Sequence, residues 1–202
     1  VIDMAKDLKQ MLKEIIPFIE GQWFLADGGA LGLVRDHKLI DYDKDLDIYL
    51  LPGSTLEFPK KSKYKLQNYY MDTKLYHQDN RPNYLNKWRE YIAYQRTLPQ
   101  FKGYNRAQIL KEASNTYYDM AKNPIFTTPY IDIYKLKQKN DTEYHVPEWD
   151  FTSCFKIEDC HAPIINEDLG FSVPILNNTE AYLEKQYGPE WRLPDPNFSY
   201  KF

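Results

Sequence analysis

The sequence predicts an α+β or α/β protein, a mixed β-sheet with flanking helices, and three observations carry that expectation. "DLDIYL" at 45–50 and "YIDIYKL" at 130–136 alternate apolar and polar side chains, as half-buried strands do. Residues 3 to 19 place Leu8, Met11, Leu12, Ile15, Ile16 and Ile19 at helical spacing ahead of the first strand. "TEAYLEKQYG", 179 to 188, reads as a closing helix after the second.

Taken in order, the first helix is expected to be capped by Asp3 and limited by Pro17. "QWFLADGG" reads as a short strand stopped by two glycines, and "ALGLVRD" as a short helix. A polar turn, "DHKLIDYDK", leads into a strand from Asp45 to Leu51. Residues 64 to 71 form a further strand candidate, and 84 to 122 read as helical, broken near Pro99 and Gly103. The strand at 129–136 follows, then short extended pieces to about 175. The closing helix is expected to take Thr179 as N-cap and Gly188 as its stop. Neither repeats nor low-complexity segments occur. The expectation is one domain over 1–202, with the helices at 84–122 as an insertion over the site.

Composition bounds the partners. The chain has 202 residues, a net charge of −3 and 43% hydrophobic residues, enough for an ordinary core. That charge gives no overall attraction to nucleic acid or to an anionic membrane, so no nucleic-acid partner is expected. No apolar run approaches the roughly 20 residues of a membrane-spanning helix, and no signal peptide is visible. The expected location is cytoplasmic, or the Golgi or ER lumen if an N-terminal anchor precedes Val1. Cys154 and Cys160 are too few for a disulfide scaffold or a cysteine zinc site and are expected to be structural thiols, with one disulfide or a metal role as alternatives. Three Asn-x-Ser/Thr sequons, at Asn140, Asn177 and Asn197, are expected by chance in an Asn-rich chain, a secretory lumen being the alternative.

The chemistry centres on "LIDYDKDLDIYLL", where Asp41, Asp43, Asp45 and Asp47 alternate with Tyr42, Lys44 and Leu46. In a strand, Asp45 and Asp47 share one face and Leu46, Ile48 and Leu50 the other. The apolar face can pack on a core. The acidic face cannot be buried unpaired, because a lone buried carboxylate costs several kcal/mol even after relaxation. A divalent cation answers both the burial and the repulsion. Mg²⁺ takes one or two carboxylates plus waters and phosphate oxygens, and two metals can clamp an in-line phosphoryl displacement. The competing reading is a solvated acidic turn that runs into an edge strand.

Context favours the metal. Just upstream, "ADGGALGLVR" has Gly28 and Gly29 at the start of a helix, where backbone N–H groups can approach an anion. A third acid, Asp132, sits mid-strand between Ile131 and Ile133. It is expected either to pair with a Lys or Arg, or to join Asp45 and Asp47 as a metal ligand or general base.

These residues resemble the LicD/fukutin-type transferases of the nucleotidyltransferase-fold superfamily. That signature runs glycine, a small residue, two apolar residues, glycine and arginine, then Ile-Pro-aromatic-Asp-x-Asp-x-Asp. Gly28, Gly29, Leu31, Gly32 and Arg35 match its first part; Ile40, Tyr42, Asp43, Asp45 and Asp47 match its second. Asp41 replaces the usual proline, and Gly29 stands where the family often has Ser or Thr, losing a hydroxyl contact to phosphate. "VPILNNTEAYLEKQYGPEWRLPDP" is similar to the family's closing segment, and "YIDIYKL" fits its third-acid strand. Residues 55 to 125 match nothing in the pattern.

The resemblance implies a nucleotidyltransferase-like mixed sheet and transfer of a phosphorylated group, phosphocholine or a polyol phosphate, from a CDP-linked donor to a sugar or glycan hydroxyl. It implies Mg²⁺ or Mn²⁺ at Asp45, Asp47 and Asp132, and phosphate contacts at Gly28, Gly29 and Arg35, with Asp43 shaping the turn. A surface role is the alternative for Arg35. His37 and Lys38 are expected in solvent, and Trp191 as a lid or packing residue. A nucleotidyltransferase that moves NMP shares these parts, and a non-catalytic interaction module is the third reading.

Overall fold

The computed structural model describes residues 3–68, 73–77, 97–104, 108, 129–147 and 154–195. The chain forms two compact units, residues 1–75 with 129–202, and residues 76–128. In the second unit the described residues include a 3-10 turn, Pro99–Phe101, followed by Gly103 in the left-handed region (φ +87°). Most of the helical insertion expected at 84–122 lies outside the described residues.

Helix α1 (Met4–Ile15) begins where Asp3 accepts a hydrogen bond from the Lys6 amide at 3.1 Å. It buries Leu8, Met11, Leu12 and Ile15. Pro17 has no N–H to donate to the helix ladder, and the chain tightens into a 3-10 turn over Ile16–Phe18. Ile19 therefore belongs to a strand, β1 (Ile19–Glu20), and not to the helix. Strand β2 (Trp23–Ala26) passes directly into α2 (Asp27–Asp36). This corrects the expected stop at two glycines: Gly28 and Gly29 lie in the first turn of α2. Asp27 makes the corner by adopting a left-handed conformation (φ +49°), which aspartate tolerates better than most residues. His37 (φ +55°) ends the helix, its N–H bonded to the Gly32 carbonyl.

Next come β3 (Asp45–Leu50), β4 (Thr55–Leu56), β5 (Tyr64–Asn68), β6 (Thr73–His77), β7 (Tyr130–Lys135), β8 (Lys137–Gln138), β9 (Glu143–His145) and β10 (Cys154–Lys156). Helix α3 (Ile157–His161), β11 (Ile164–Asn166), β12 (Val173–Ile175) and α4 (Thr179–Tyr187) follow among the described residues. The architecture is mixed α+β around one seven-stranded sheet in the order β11-β12-β2-β3-β7-β6-β5. β2 runs antiparallel to β3, β7 parallel to β3 and β12 parallel to β2. The small sheets β1-β4 and β8-β9-β10 stand apart from it.

Strand alternation divides the core. Leu25, Leu46, Ile48, Leu50, Ile131 and Ile133 pack with α1 on one face of the main sheet. Phe24, Tyr49, Tyr134, Phe155 and Leu176 form a second cluster, which Tyr182 of α4 joins. Leu31 and Ile40 pack with Leu183 and Trp191, so Trp191 is a packing residue. Asn178, and not Thr179, is the N-cap of α4, because the Thr179 hydroxyl donates back to the Leu176 carbonyl. Gly188 (φ +88°) ends that helix as expected. Cys154 and Cys160 are free thiols, and burial pushes the Cys160 thiol up to about 12. Among the described residues, no helix is long and apolar enough to cross a membrane.

At Gly32 of α2 another stretch of backbone comes so near that a Cβ would lie 2.6 Å from the Lys38 carbonyl oxygen. Gly32→Ala should therefore lower stability by about 1–3 kcal/mol through overpacking, although alanine is favoured by ~1 kcal/mol in an open helix. Urea denaturation measures this. A midpoint equal to or above the wild type's would show that the segment after α2 yields freely.

Candidate active site

Three strands align the acids. Ala26 of β2 lies opposite Asp47 of β3, and Asp47 lies opposite Asp132 of β7. One pleat along, Asp45 pairs with Tyr130. Asp45, Asp47, Tyr130 and Asp132 therefore share one sheet face, and Asp27, one residue past Ala26, turns into the same corner. Asp43 completes the group from the turn before β3. Its carboxylate packs so close to Gly28 that a Cβ there would lie 2.3 Å from Oδ2. Gly29 makes similar room for Leu25, which a Cβ would meet at 2.9 Å. Both glycines thus have packing reasons to be glycine.

Each acid meets a different partner. Asp27 is buried and accepts from two phenols, Tyr49 at 2.8 Å and Tyr182 at 2.5 Å. Asp43 accepts from the Lys44 amide at 3.0 Å. Asp45 accepts from the Tyr130 hydroxyl at 3.0 Å. Asp132 is buried and pairs with the buried Lys74 ammonium, which also lies 4.8 Å from the centre of the Tyr130 ring. The Asp47 carboxylate accepts no hydrogen bond from any described residue.

The electrostatics follow from this crowding. Burial, reinforced by Asp27, Asp45, Asp132 and Asp43, pushes the Asp47 carboxyl well above the usual carboxylate range. Burial and then Asp45 do the same to Asp43. Burial raises Asp27 too, against the opposing pull of its two tyrosine donors. The Tyr49 phenol rises well above its ordinary value, through burial first and then Asp27. No family model matches the chain, and no curated protein matches it.

The expected site residues are only partly gathered. Asp45, Asp47, Asp132 and the Gly28 end of α2 meet at one corner. Arg35 does not join them: it is seven residues along α2 from Gly28, roughly 10 Å of helix, and forks onto Asp36 at 2.9 and 2.7 Å. The expected three-ligand set is also not formed. Among the described residues no three His, Cys, Asp or Glu side chains form a group that could hold a metal ion, and Asp132 already carries Lys74. The donor chemistry at Asp45 and Asp47 still fits Mg²⁺, which needs only one or two protein carboxylates. A carboxylate on Asp47 with no donor, pressed by like charges, is the group a cation would relieve. Asp43, expected to shape the turn, is part of the acidic group as well.

Asp27, Tyr49, Lys74, Tyr130 and Tyr182 are functional candidates that sequence reasoning missed. Period two in "DLDIY" and "YIDIY" carries Tyr49 and Tyr130 onto the acidic face, so both were legible. Lys74 falls on a strand, Thr73–His77, beyond the one expected at 64–71.

The raised carboxyls fix a pH dependence. The folded protein binds a proton at Asp47 more tightly than the unfolded chain does, so Asp47 lowers stability as pH rises from about 4 towards its raised folded value. Asp47→Asn keeps the uncharged form at every pH. In EDTA, its Tm should exceed the wild type's by a few degrees at pH 7 and match it near pH 4. A gap independent of pH would remove Asp47 from the electrostatic strain.

Proposed function

We propose that this chain is a metal-dependent phosphotransferase of the LicD/fukutin type, with a nucleotidyltransferase-like fold. It would move phosphocholine or a polyol phosphate from a CDP-linked donor to a glycan hydroxyl in cell-surface polysaccharide or glycoconjugate synthesis. The observation that carries the reading is the corner where the first turn of α2 meets β3: Gly28 lies against Asp43, and Ala26 lies opposite Asp47. A helix start offers unpaired N–H groups to a phosphate, beside carboxylates suited to a cation. The resemblance of "DGGALGLVRDHKLIDYDKDLDIYL" and "VPILNNTEAYLEKQYGPEWRLPDP" to the family's two motifs supports the same reading.

Asp45 and Asp47 would hold Mg²⁺ or Mn²⁺, which when bound neutralises charge on the donor's phosphates. The first-turn N–H groups of α2 bind one of those phosphates. Tyr130 fixes the Asp45 carboxylate through its 3.0 Å hydrogen bond. Asp132, beside Asp47, accepts the proton of the attacking hydroxyl. That oxygen forms its bond to the phosphorus bearing the head group as the bond to CMP breaks. Positioning and electrostatics supply most of the acceleration.

Two measurements test this. Asp45→Asn and Asp47→Asn should each abolish turnover with an unchanged circular dichroism spectrum, whereas Asp132→Asn should slow it by about 10² to 10⁴. Near-normal turnover in the Asp45 or Asp47 variant at subsaturating Mg²⁺ would remove the metal site. A doubly labelled donor decides the bond that is cut: head-group phosphate on the acceptor with free CMP in solution is expected. Cytidine label on the acceptor would instead establish nucleotidyl transfer.

A further inference from the structure

We propose that β11 is the contact through which two copies of this chain pair, antiparallel and edge to edge, about a two-fold axis at Ile165. The inference stands apart from the phosphotransferase reading, since β12 and β2 separate β11 from the strands that carry the acids.

β11 is the outermost strand of the seven-stranded sheet, and one of its sides meets no strand among the described residues. Such an edge offers unpaired N–H and C=O groups to another strand, and proteins commonly blunt it with a charged side chain. Here the edge carries two adjacent isoleucines, Ile164 and Ile165, 47% and 54% exposed. Adjacent strand residues point to opposite faces, so both faces of the sheet end in an open isoleucine.

The register shows which backbone groups face outward. Ile165 lies opposite Pro174 of β12. Pro174 has no N–H to give, so this is the non-hydrogen-bonded kind of antiparallel pair, and Ile165 turns both its N–H and its C=O to the open side. Two residues away in each direction, the same alternation turns Pro163 and Glu167 outward. Pro163 can only accept there. The Glu167 carbonyl already accepts from the Gly170 amide at 2.8 Å, which leaves Glu167 its N–H to offer. Along the edge the chain therefore presents an acceptor, then a donor with an acceptor, then a donor.

Read in reverse, that order is its own complement, and this selects a second copy as the partner. An antiparallel copy centred on Ile165 sets Ile165 against Ile165, with two hydrogen bonds exchanged. It sets each Glu167 N–H against the Pro163 carbonyl of the other copy. An arbitrary extended segment would instead leave its own carbonyl opposite Pro163 without a donor. The charges agree, because Glu167 falls opposite Pro163 and Asp168 opposite Ala162, so neither carboxylate faces its counterpart. The two Ile165 side chains cover one another on one face, and Ile164 covers Asn166 on the other. A two-fold pair of this kind closes on itself and leaves no β11 edge free. β11 has only three residues, so the contact is smaller than the roughly 1,200 Å² of a standard interface and the pair is weak, with a Kd above about 1 µM.

Sedimentation equilibrium on the full chain tests this. Wild type should pass from monomer to dimer as its concentration rises towards about 1 mM. Ile165→Lys sets two ammonium groups against each other at an exposed position and should weaken pairing by about tenfold or more. In Ile165→Cys the paired Cα atoms would lie about 5.5 Å apart, within the roughly 4.4–6.8 Å that a disulfide spans. Mild oxidation should therefore link that variant into dimers. Ile164→Cys, which would face Asn166 of the second copy, should stay unlinked, as should the wild type with its own Cys154 and Cys160. If Ile165→Lys does not fold, the two cysteine variants decide. A dimer that Ile165→Lys leaves intact, or linking in Ile164→Cys and not in Ile165→Cys, would overturn the proposal. A wild type that stays monomeric at about 1 mM would overturn it too, and leave the edge to a strand from another protein.

Discussion

Repulsion among carboxylates gathered at one corner of a sheet is the constraint to which the rest of this structure answers. Asp27, Asp43, Asp45, Asp47 and Asp132 meet where β2, β3 and β7 adjoin, Asp27 and Asp132 buried and the other three half-buried, so water screens them less than it would at an open surface. Such an arrangement persists only if each acid is compensated or its cost is met elsewhere. Two phenols serve Asp27, a backbone amide serves Asp43, a phenol serves Asp45 and an ammonium serves Asp132. Asp47, at the centre of the row, is served by none of the described residues. The fold thus leaves its deficit of positive charge at one place, where a ligand can supply it.

The apolar half of the sheet makes that deficit tolerable. Leu46, Ile48, Ile131 and Ile133 point away from the acids into a core closed by α1, and burial of side chains of this size contributes about 1.5–3 kcal/mol each. Period-two alternation is what couples the two roles. The same strands that anchor the sheet on one face present Asp45, Asp47 and Asp132 on the other, so the carboxylates cannot move apart without breaking register. Beyond the acids the polar face becomes aromatic, with Tyr49 stacked between Phe24 at 5.4 Å and Tyr134 at 4.9 Å. That stacking holds the Tyr49 hydroxyl on Asp27.

Much of this was legible because it is local. The Asp3 cap, the faces of β3 and β7 and the Gly188 stop follow from spacing within a few residues. What was not legible depends on distance. The salt-bridge alternative for Asp132 named a Lys or Arg, yet nothing in periodicity chooses Lys74, whose strand reaches β7 through sheet order. Arg35 failed for the opposite reason: its nearest acid is its own neighbour, Asp36, and a short local fork outcompetes a remote contact. A stop at the glycines is the natural expectation, because Gly-Gly usually marks a turn. Here the turn is made by Asp27, and the glycines exist for close packing against Asp43 and Leu25.

Asp27 also explains why two distant stretches of the sequence act together. A non-glycine residue in the left-handed region costs of order 1–3 kcal/mol unless its surroundings hold it there. The holding groups come from β3, through Tyr49, and from α4, through Tyr182. α4 reaches α2 a second way, through Leu183 packed with Leu31, in a cluster that Ile40 after α2 and Trp191 after α4 complete. The C-terminal segment therefore both clamps the corner at which α2 starts and fixes the flank of α2 itself. Since α2 sets Gly28 against Asp43, the geometry of the acidic corner depends on residues more than a hundred positions downstream of it. A closing helix that looks peripheral in the sequence is in this sense a wall of the site.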